Sequence, residues 1–314
     1  MIIYHDLRRQ PLFKPYFEAS GIPHANHFRS KYTMLLHKIL KLFPALGKRI
    51  PIKFMYTDPV CCPDDDKIIV FDSAANARYL NWLCHTYRDK RVILWFWNPA
   101  KNMYNYAYLH PRVECWSYCK RDAKEYGMLL NTQFYFDCLA QEAEAACSLP
   151  AGQPPRALFI GREKGREDKL KKLSKSLAEN GIIPDFRLIY PPKYSLVPSL
   201  RENLIPYREV VDAVKASQII VDLYVDAGAG LSLRAMEALF FRKKLITNRS
   251  LMRGEDFYNS QNIYILGHES RSIKEFLEET YADVDPAIRD RYLLSNWLTR
   301  FEKRRPKNDK IRKR

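Results

Sequence analysis

Long apolar runs are missing from this chain of 314 residues. None approaches the roughly 18–20 consecutive apolar residues that cross a bilayer, so a membrane-spanning helix is not expected. The opening MIIYHDLRRQ lacks the basic-then-apolar order of a signal peptide, and the expectation is a cytoplasmic protein. A disulfide framework is missing too. The seven cysteines, at 61, 62, 84, 115, 119, 138 and 147, are odd in number and scattered, as in a reduced compartment. Cys115 and Cys119 have no second close pair and His110 completes no zinc pattern, so no metal site is expected there. No unit recurs at a period of roughly 20–50 residues, which excludes a solenoid.

What is present describes a folded, soluble chain: 46% apolar, 13% aromatic and 28% charged residues. The length exceeds one domain of ~100–200 residues, and two domains are expected. Acidic residues are the scarcer sign, 36 against 52 Lys and Arg, leaving a formal charge of +16. Such a field favours an anionic partner: nucleic acid, an anionic membrane leaflet or a phosphorylated substrate. Part of the excess lies in the tail KRRPKNDKIRKR (303–314), a composition that is ordinarily solvated. Nucleic acid is not the expected partner, because no RNP-like strand, helix-turn-helix spacing or zinc finger is found.

Along the chain, residues 26–44 place Phe28, Tyr32, Leu35, Leu36, Ile39, Leu40 and Phe43 at helical spacing among Arg29, Lys31, Lys38 and Lys41. This predicts an amphipathic basic helix, packed on the core or touching an anionic membrane. KIIVFD (67–72) and RVILWFWNP (91–99) read as buried strands with a helix over 74–87 between them, a parallel βαβ unit. A short strand near 115–117 and a helix ending near Gly127 continue the pattern. SLPAGQPP (148–155) interrupts both periodicities and reads as a linker. The rhythm then restarts with a strand at 156–160 and a helix at 167–180. DFRLIY (185–190), a helix at 207–216, QIIVDLY (218–224), a helix at 231–241, KKLITN (243–248) and NIYIL (262–266) follow, with last helices at 272–282 and 286–303. The expected fold is α/β with two doubly wound, Rossmann-like domains. Their expected bounds are 1–150, then 151–285 for a nucleotide-binding domain, then 286–314 for a helix and basic tail.

In open parallel sheets ligands bind beyond the carboxyl ends of the strands, so loops after strands carry the candidates. GREKGR (161–166) follows one strand and precedes a helix. Gly161 permits close backbone approach, while Arg162, Lys164 and Arg166 suit a diphosphate at a helix N-terminus. It is neither a Walker loop nor GxGxxG, and a charged surface turn is the alternative. The second loop, DAGAG (226–230), opens a helix carrying Ser232, Arg234 and Glu237. Gly230 and Ser232 suit phosphate, Arg234 a bidentate clamp, and Glu237 can accept both hydroxyls of a ribose. The alternative is an ordinary turn and an exposed helical Glu.

GLSLRAMEALFFRKKLITN (230–248) resembles the segment of GT-B glycosyltransferases in which a small-residue turn precedes a helix with a Glu-Ala pair and a strand. LFIGREKGREDKLKKLSKSLAENGI (158–182) resembles their Gly-Arg phosphate loop and its helix. More weakly, WSYCKRDAKEYGMLLNTQFYF (116–136) is similar to transferases of bacterial lipopolysaccharide and capsule biosynthesis. The resemblance implies a GT-B fold, two domains facing across a cleft. Its activity would be transfer of a sugar from a UDP-, GDP- or CMP-sugar to a lipid-linked oligosaccharide or polysaccharide. It implies the diphosphate on Arg162, Lys164 and Arg166 and the ribose on Glu237, with no tightly bound cofactor and no metal. One departure stands out. The best-known form of this helix has a second acid eight positions before the Glu, where this chain has Ala229. Retention or inversion is therefore open.

Asp64, Asp65 and Asp66 precede a strand and follow Pro63, as in a turn, rather than following a strand as a metal-binding acidic motif would. For an inverting reaction the base would be a carboxylate or His at a strand end. Asp72 is the first candidate, with His5 and Asp6 after it, although Asp72 also suits the N-cap of the helix near Ala74. The expected partners are a nucleotide sugar, a glycan or lipid-linked acceptor and the anionic inner face of the plasma membrane. Other readings are a polyol-phosphate transferase or nucleotide-sugar epimerase on the same fold, or a non-enzymatic basic protein that binds nucleic acid or membrane.

Overall fold

The computed structural model describes residues 1–4, 12–40, 50–59, 65–100, 109–145, 154–190, 205–226 and 228–302. His5, Asp6, the stretch 191–204 and the tail 303–314 lie outside them. The chain forms two compact units, Met1–Thr132 with Arg300–Arg314, and Gln133–Thr299. Of the expected linker at 148–155, residues 148–153 lie outside the described residues; packing explains where the two units divide. Tyr135 stacks on Phe240 at 5.1 Å, and Glu142 accepts a hydrogen bond from Arg208 at 2.8 Å, which ties the stretch before that linker into the second unit. At the other end Phe301 sits edge-on to Trp95 and Trp116, 5.9 and 4.9 Å between ring centres, within the first.

The first unit runs β1 (Ile2–Tyr4), α1 (Lys14–Ala19), β2 (His24–Asn26), α2 (Lys31–Leu40), α3 (Ile52–Met55), β3 (Lys67–Phe71), α4 (Ala77–Thr86), β4 (Arg91–Phe96), β5 (Val113–Ser117), α5 (Lys120–Glu125) and β6 (Leu129–Leu130). The strands make one parallel sheet in the order β2-β1-β3-β4-β5-β6. In register, Ile68 sits opposite Val92 and Val70 opposite Leu94, and all four are buried. Strands covered on both faces need such uninterrupted apolar runs, which is why β3 and β4 are legible in the sequence. Helix α4 buries Tyr79, Leu80, Leu83 and Cys84, spaced to form one face.

The second unit runs α6 (Asp137–Ala145), β7 (Arg156–Arg162), α7 (Glu167–Glu179), β8 (Ile183–Ile189), α8 (Tyr207–Lys215), β9 (Ile219–Asp222), α9 (Leu233–Phe240), β10 (Lys244–Thr247), β11 (Ile263–Ile265), α10 (Ile273–Glu278), α11 (Pro286–Asp290) and α12 (Leu294–Thr299). Its sheet is also parallel, in the order β11-β10-β9-β7-β8. Helix α7 lays Leu170, Leu173 and Leu177 on the core beside Phe159 and Val221. Numbered within each unit, both sheets begin with strand order 2-1-3-4-5. The direction of winding reverses between the first and third strands, the place where ligands bind in open parallel sheets.

Several expected elements are shorter or broken. The helix expected over 26–44 begins only at Lys31, because residues 24–26 pair with β1 as an edge strand and Ser30 and Thr33 exchange hydrogen bonds at the turn. It leaves Tyr32, Leu35 and Ile39 exposed, at 72%, 49% and 48%. The helix expected over 286–303 breaks into α11, α12 and a 3-10 turn at Arg300–Glu302. Tyr135 causes the break: its N–H donates to the Tyr292 carbonyl at 2.6 Å and its carbonyl accepts from Leu294 at 2.8 Å, taking groups a continuous helix would use. No helix is long and apolar enough to cross a membrane, among the described residues.

Candidate functional site

In the second unit the reversal of winding lies between β7 and β9, and both loops singled out in the sequence start or end there. β7 carries Phe159 and Gly161 on one face and ends in Arg162. A methyl group on Gly161 would lie 3.1 Å from Arg234 Nη1 and 3.3 Å from Phe159 Cζ. Glycine therefore lets the Arg234 guanidinium cross the strand end, where Nη1 donates to the Ile160 carbonyl at 3.1 Å.

Arg234 is anchored rather than poised as an unattached clamp. Its Nε donates to Asp222 Oδ1 at 2.8 Å, and Asp222 is fully buried at the end of β9. The other oxygen of Asp222 accepts from Ser232 Oγ at 2.6 Å. Ser232 Oγ in turn accepts the Ala235 N–H as the N-cap of α9. Asp222 thus fixes both the cap and the cation. Nothing in the sequence reading singled it out, although an acid inside the run QIIVDLY was a visible signal. Behind this loop the buried Arg249 donates to the Ala229 carbonyl at 3.0 Å and pairs with Glu255, and Gly230 is buried next to it. Asp226 accepts the Gly228 N–H, so its carboxylate closes its own turn.

Two of the cations meet at Phe159. The guanidiniums of Arg234 and Arg166 lie 5.1 and 5.6 Å from its ring centre. Arg166 is only 8% exposed, and its Nε and Nη1 have no hydrogen-bond partner. A buried guanidinium with two unused donors is costly, on the order of 1–3 kcal/mol, unless a ligand completes it. Burial, then Arg234, lowers its pKa, though a guanidinium stays charged. Lys164, which is exposed, stands in the left-handed region (φ 46°) next to Gly165 (φ 75°). Burial, Arg166, Arg162 and Arg234 together push the Lys164 pKa down. Asp222 and Glu163 oppose the field at Arg166. Four cations, Arg162, Lys164, Arg166 and Arg234, thus meet at a strand end and a helix start, where Glu163, Asp222 and, in the first turn of α7, Glu167 and Asp168 offset them.

No known protein family model and no curated protein matches the chain.

Glu237 faces inward from α9 at 3% exposure, and the Tyr207 hydroxyl donates to its Oε1 at 2.9 Å. Burial raises its pKa to about 7, against the Tyr207 hydrogen bond and the Arg234 charge that lower it. Tyr207 lies thirty positions away and was not foreseen. In the first unit Asp72 follows β3 and opens a 3-10 turn, Asp72–Ala74, while the cap of α4 is Asn76 rather than Asp72. The Asp72 carboxylate accepts from the Trp97 N–H at 3.2 Å and the Asn98 amide at 2.8 Å. Desolvation raises its pKa more than these donors lower it. Asp65 pairs with the amino terminus and Asp66 with Lys67, the roles of a charged turn.

Proposed function

We propose that the second unit binds the diphosphate of a nucleotide sugar and that the chain is a glycosyltransferase of the GT-B type. The observation that carries this reading is the buried Arg166, with two unused donors, among Arg162, Lys164 and Arg234 at the sheet's reversal point. Sugar transfer leaves a nucleoside diphosphate carrying the charge of the broken bond, and preorganised cations lower that barrier. Arg162, Lys164 and Arg166 serve as these groups, while Arg234 positions the strand end through Asp222. Glu237, oriented by Tyr207, reads the ribose. Asp72, made more basic by desolvation, takes the proton from the acceptor hydroxyl.

The acceptor class in this reading is a lipid-linked oligosaccharide or polysaccharide, used at the cytoplasmic face of a membrane. The exposed Tyr32, Leu35 and Ile39 on α2, with Phe54 on α3 and Lys31 and Lys53 beside them, support contact with an anionic leaflet. The test is a thermal-shift panel of UDP, GDP, CMP and their sugars. At a hundredfold excess over Kd, a ligand adds about 2.7 kcal/mol, a rise of several degrees. Arg166→Met is expected to remove most of that rise while leaving the unliganded protein at least as stable. No rise with any nucleotide overturns the reading.

A further inference from the structure

The proposed donor site carries a carboxylate among its cations. Glu163 stands between Arg162 and Lys164 in the loop that follows β7. The Arg166 N–H donates to the Glu163 carbonyl at 3.0 Å across Lys164 and Gly165, both at positive φ, a tight turn that folds the loop back on itself. The Glu163 N–H donates to the Ile189 carbonyl at 3.0 Å, which extends the pairing of β7 with β8. Both ends of the turn are fixed in this way, and the Glu163 side chain is brought to the start of α7. There its Oε1 accepts the Glu167 N–H at 3.3 Å. Arg166, the N-cap residue, offers the helix no side-chain hydrogen bond, so Glu163 caps it from outside.

The Arg166 guanidinium can meet a ligand fully only after a neighbouring group moves, because its Nε and Nη1 are sealed from water as well as unpartnered. Of the charged groups that act on it, Arg234 and Asp222 are bound to each other at 2.8 Å, and further bonds to the Ile160 carbonyl and Ser232 hold them. Glu163 is held more loosely. Its bond to Glu167 is at the long end of the ordinary range, and its side chain is half-buried. The helix start that it caps is a place where backbone N–H groups favour phosphate oxygens. A diphosphate brings more charge and more acceptor oxygens to those donors than a carboxylate does.

We propose that Glu163 is a built-in stand-in for a phosphate group: its carboxylate holds the start of α7 and gives way when a nucleoside diphosphate arrives, so that it weakens binding of that ligand. This rests on the reading of the second unit as a diphosphate site. Two effects of opposite sign follow. The acid steadies a loop whose Arg162, Lys164 and Arg166 repel one another, and the ligand has to displace it. Its loss lowers the stability of the free protein and tightens the complex. A carboxylate with a purely structural role gives the first effect without the second. An acid that acts only through the general field is matched by another acid of the same turn.

The test titrates the intact chain with UDP, GDP and inorganic pyrophosphate by calorimetry at one fixed ionic strength, in the wild type, Glu163→Gln and Asp168→Asn. Gln keeps the shape and an acceptor oxygen for the Glu167 N–H while it removes the charge. Asp168 lies in the same first turn, and Asp168→Asn removes an equal charge from an exposed side chain. Glu163→Gln is expected to bind about tenfold more tightly, and Asp168→Asn to gain about twofold or less. Without ligand, the melting temperature of Glu163→Gln is expected to fall by about 1–3 °C. Glu163→Ala, which removes the acceptor as well, is expected to tighten binding likewise and to lose more stability. Unchanged or weaker binding in both Glu163 variants overturns the proposal, as do equal gains in Glu163→Gln and Asp168→Asn. Either result, with nucleotide bound by the wild type, overturns the stand-in alone. Absence of nucleotide binding in the wild type and every variant overturns the diphosphate reading with it.

Discussion

The two units share a strand order and differ in what they put at the reversal of winding. In each, the third strand of the 2-1-3 set delivers an acid to the carboxyl edge: Asp72 just after β3 and Asp222 at the end of β9. Asp222 is fully buried and spent on Arg234 and Ser232. Asp72 keeps to neutral donors, a backbone N–H and an amide. Backbone topology therefore fixes where a polar group is useful, and the partner side chain decides whether it acts as scaffold or as reagent. An acid whose charge is matched by an arginine is structural; one whose surroundings raise its proton affinity is available for chemistry.

The sharpest way to break this contrast is to remove the two acids in turn. Asp222→Ala strands Arg234 without its counter-charge and uncaps α9, a loss of about 3–5 kcal/mol for the second unit, measured by urea denaturation. Equal loss in Asp72→Ala would erase the distinction.

Next in size is Glu237. Its pKa is about 7 in the folded chain against an ordinary 4.5, so the native state holds the extra proton. Stability from this group is complete below about pH 4.5, is lost as pH rises through about 7, and stays lost above it. At pH 8 the deficit is on the order of 3 kcal/mol, from ~1.4 kcal/mol per pH unit. Glu237→Gln is expected to remove the slope and to gain most of that stability at pH 8, with no gain at pH 4. Denaturation across this range measures it.

Smaller again is Gly161→Ala. The added methyl presses on Arg234 and Phe159, two side chains that give way only by disturbing the Asp222 pair, so about 1–2 kcal/mol is expected. The nucleotide-induced thermal shift should fall with it. Smallest in stability is Asp72→Asn, about 1 kcal/mol or less, since one hydrogen bond to its carboxylate survives. Sugar transfer is expected to drop by about a hundredfold or more in this variant, measured as turnover at saturating donor. Unchanged turnover would leave Asp72 as structural as Asp222.

The sequence made parts of this comparison legible and hid others for physical reasons. Runs such as KIIVF and RVILWF announce strands buried on both faces, and the loops 161–166 and 226–237 fall at one sheet edge because βαβ geometry puts them there. β1 and β2, three residues each, are too short to show a period. Arg234 read as a clamp for phosphate because its partner Asp222 is twelve positions upstream, inside an apolar run. Glu237 read as a ribose ligand, with an exposed helical Glu as the alternative, because helical spacing does not disclose the Tyr207 hydroxyl arriving from α8. His27 and His37 gave no motif at all; only the fold brings them to one cavity.

Phe301 wedged against Trp95 and Trp116 has a consequence for the order in which the molecule is made. The second unit is continuous in sequence, so it leaves the ribosome as one uninterrupted stretch. The first waits for residues near 301 to cover its two tryptophans, although its strands are synthesised first. During that interval an aromatic surface on the earlier half stays open to water and to chaperones, and a chain cut short before Phe301 would carry that exposure permanently.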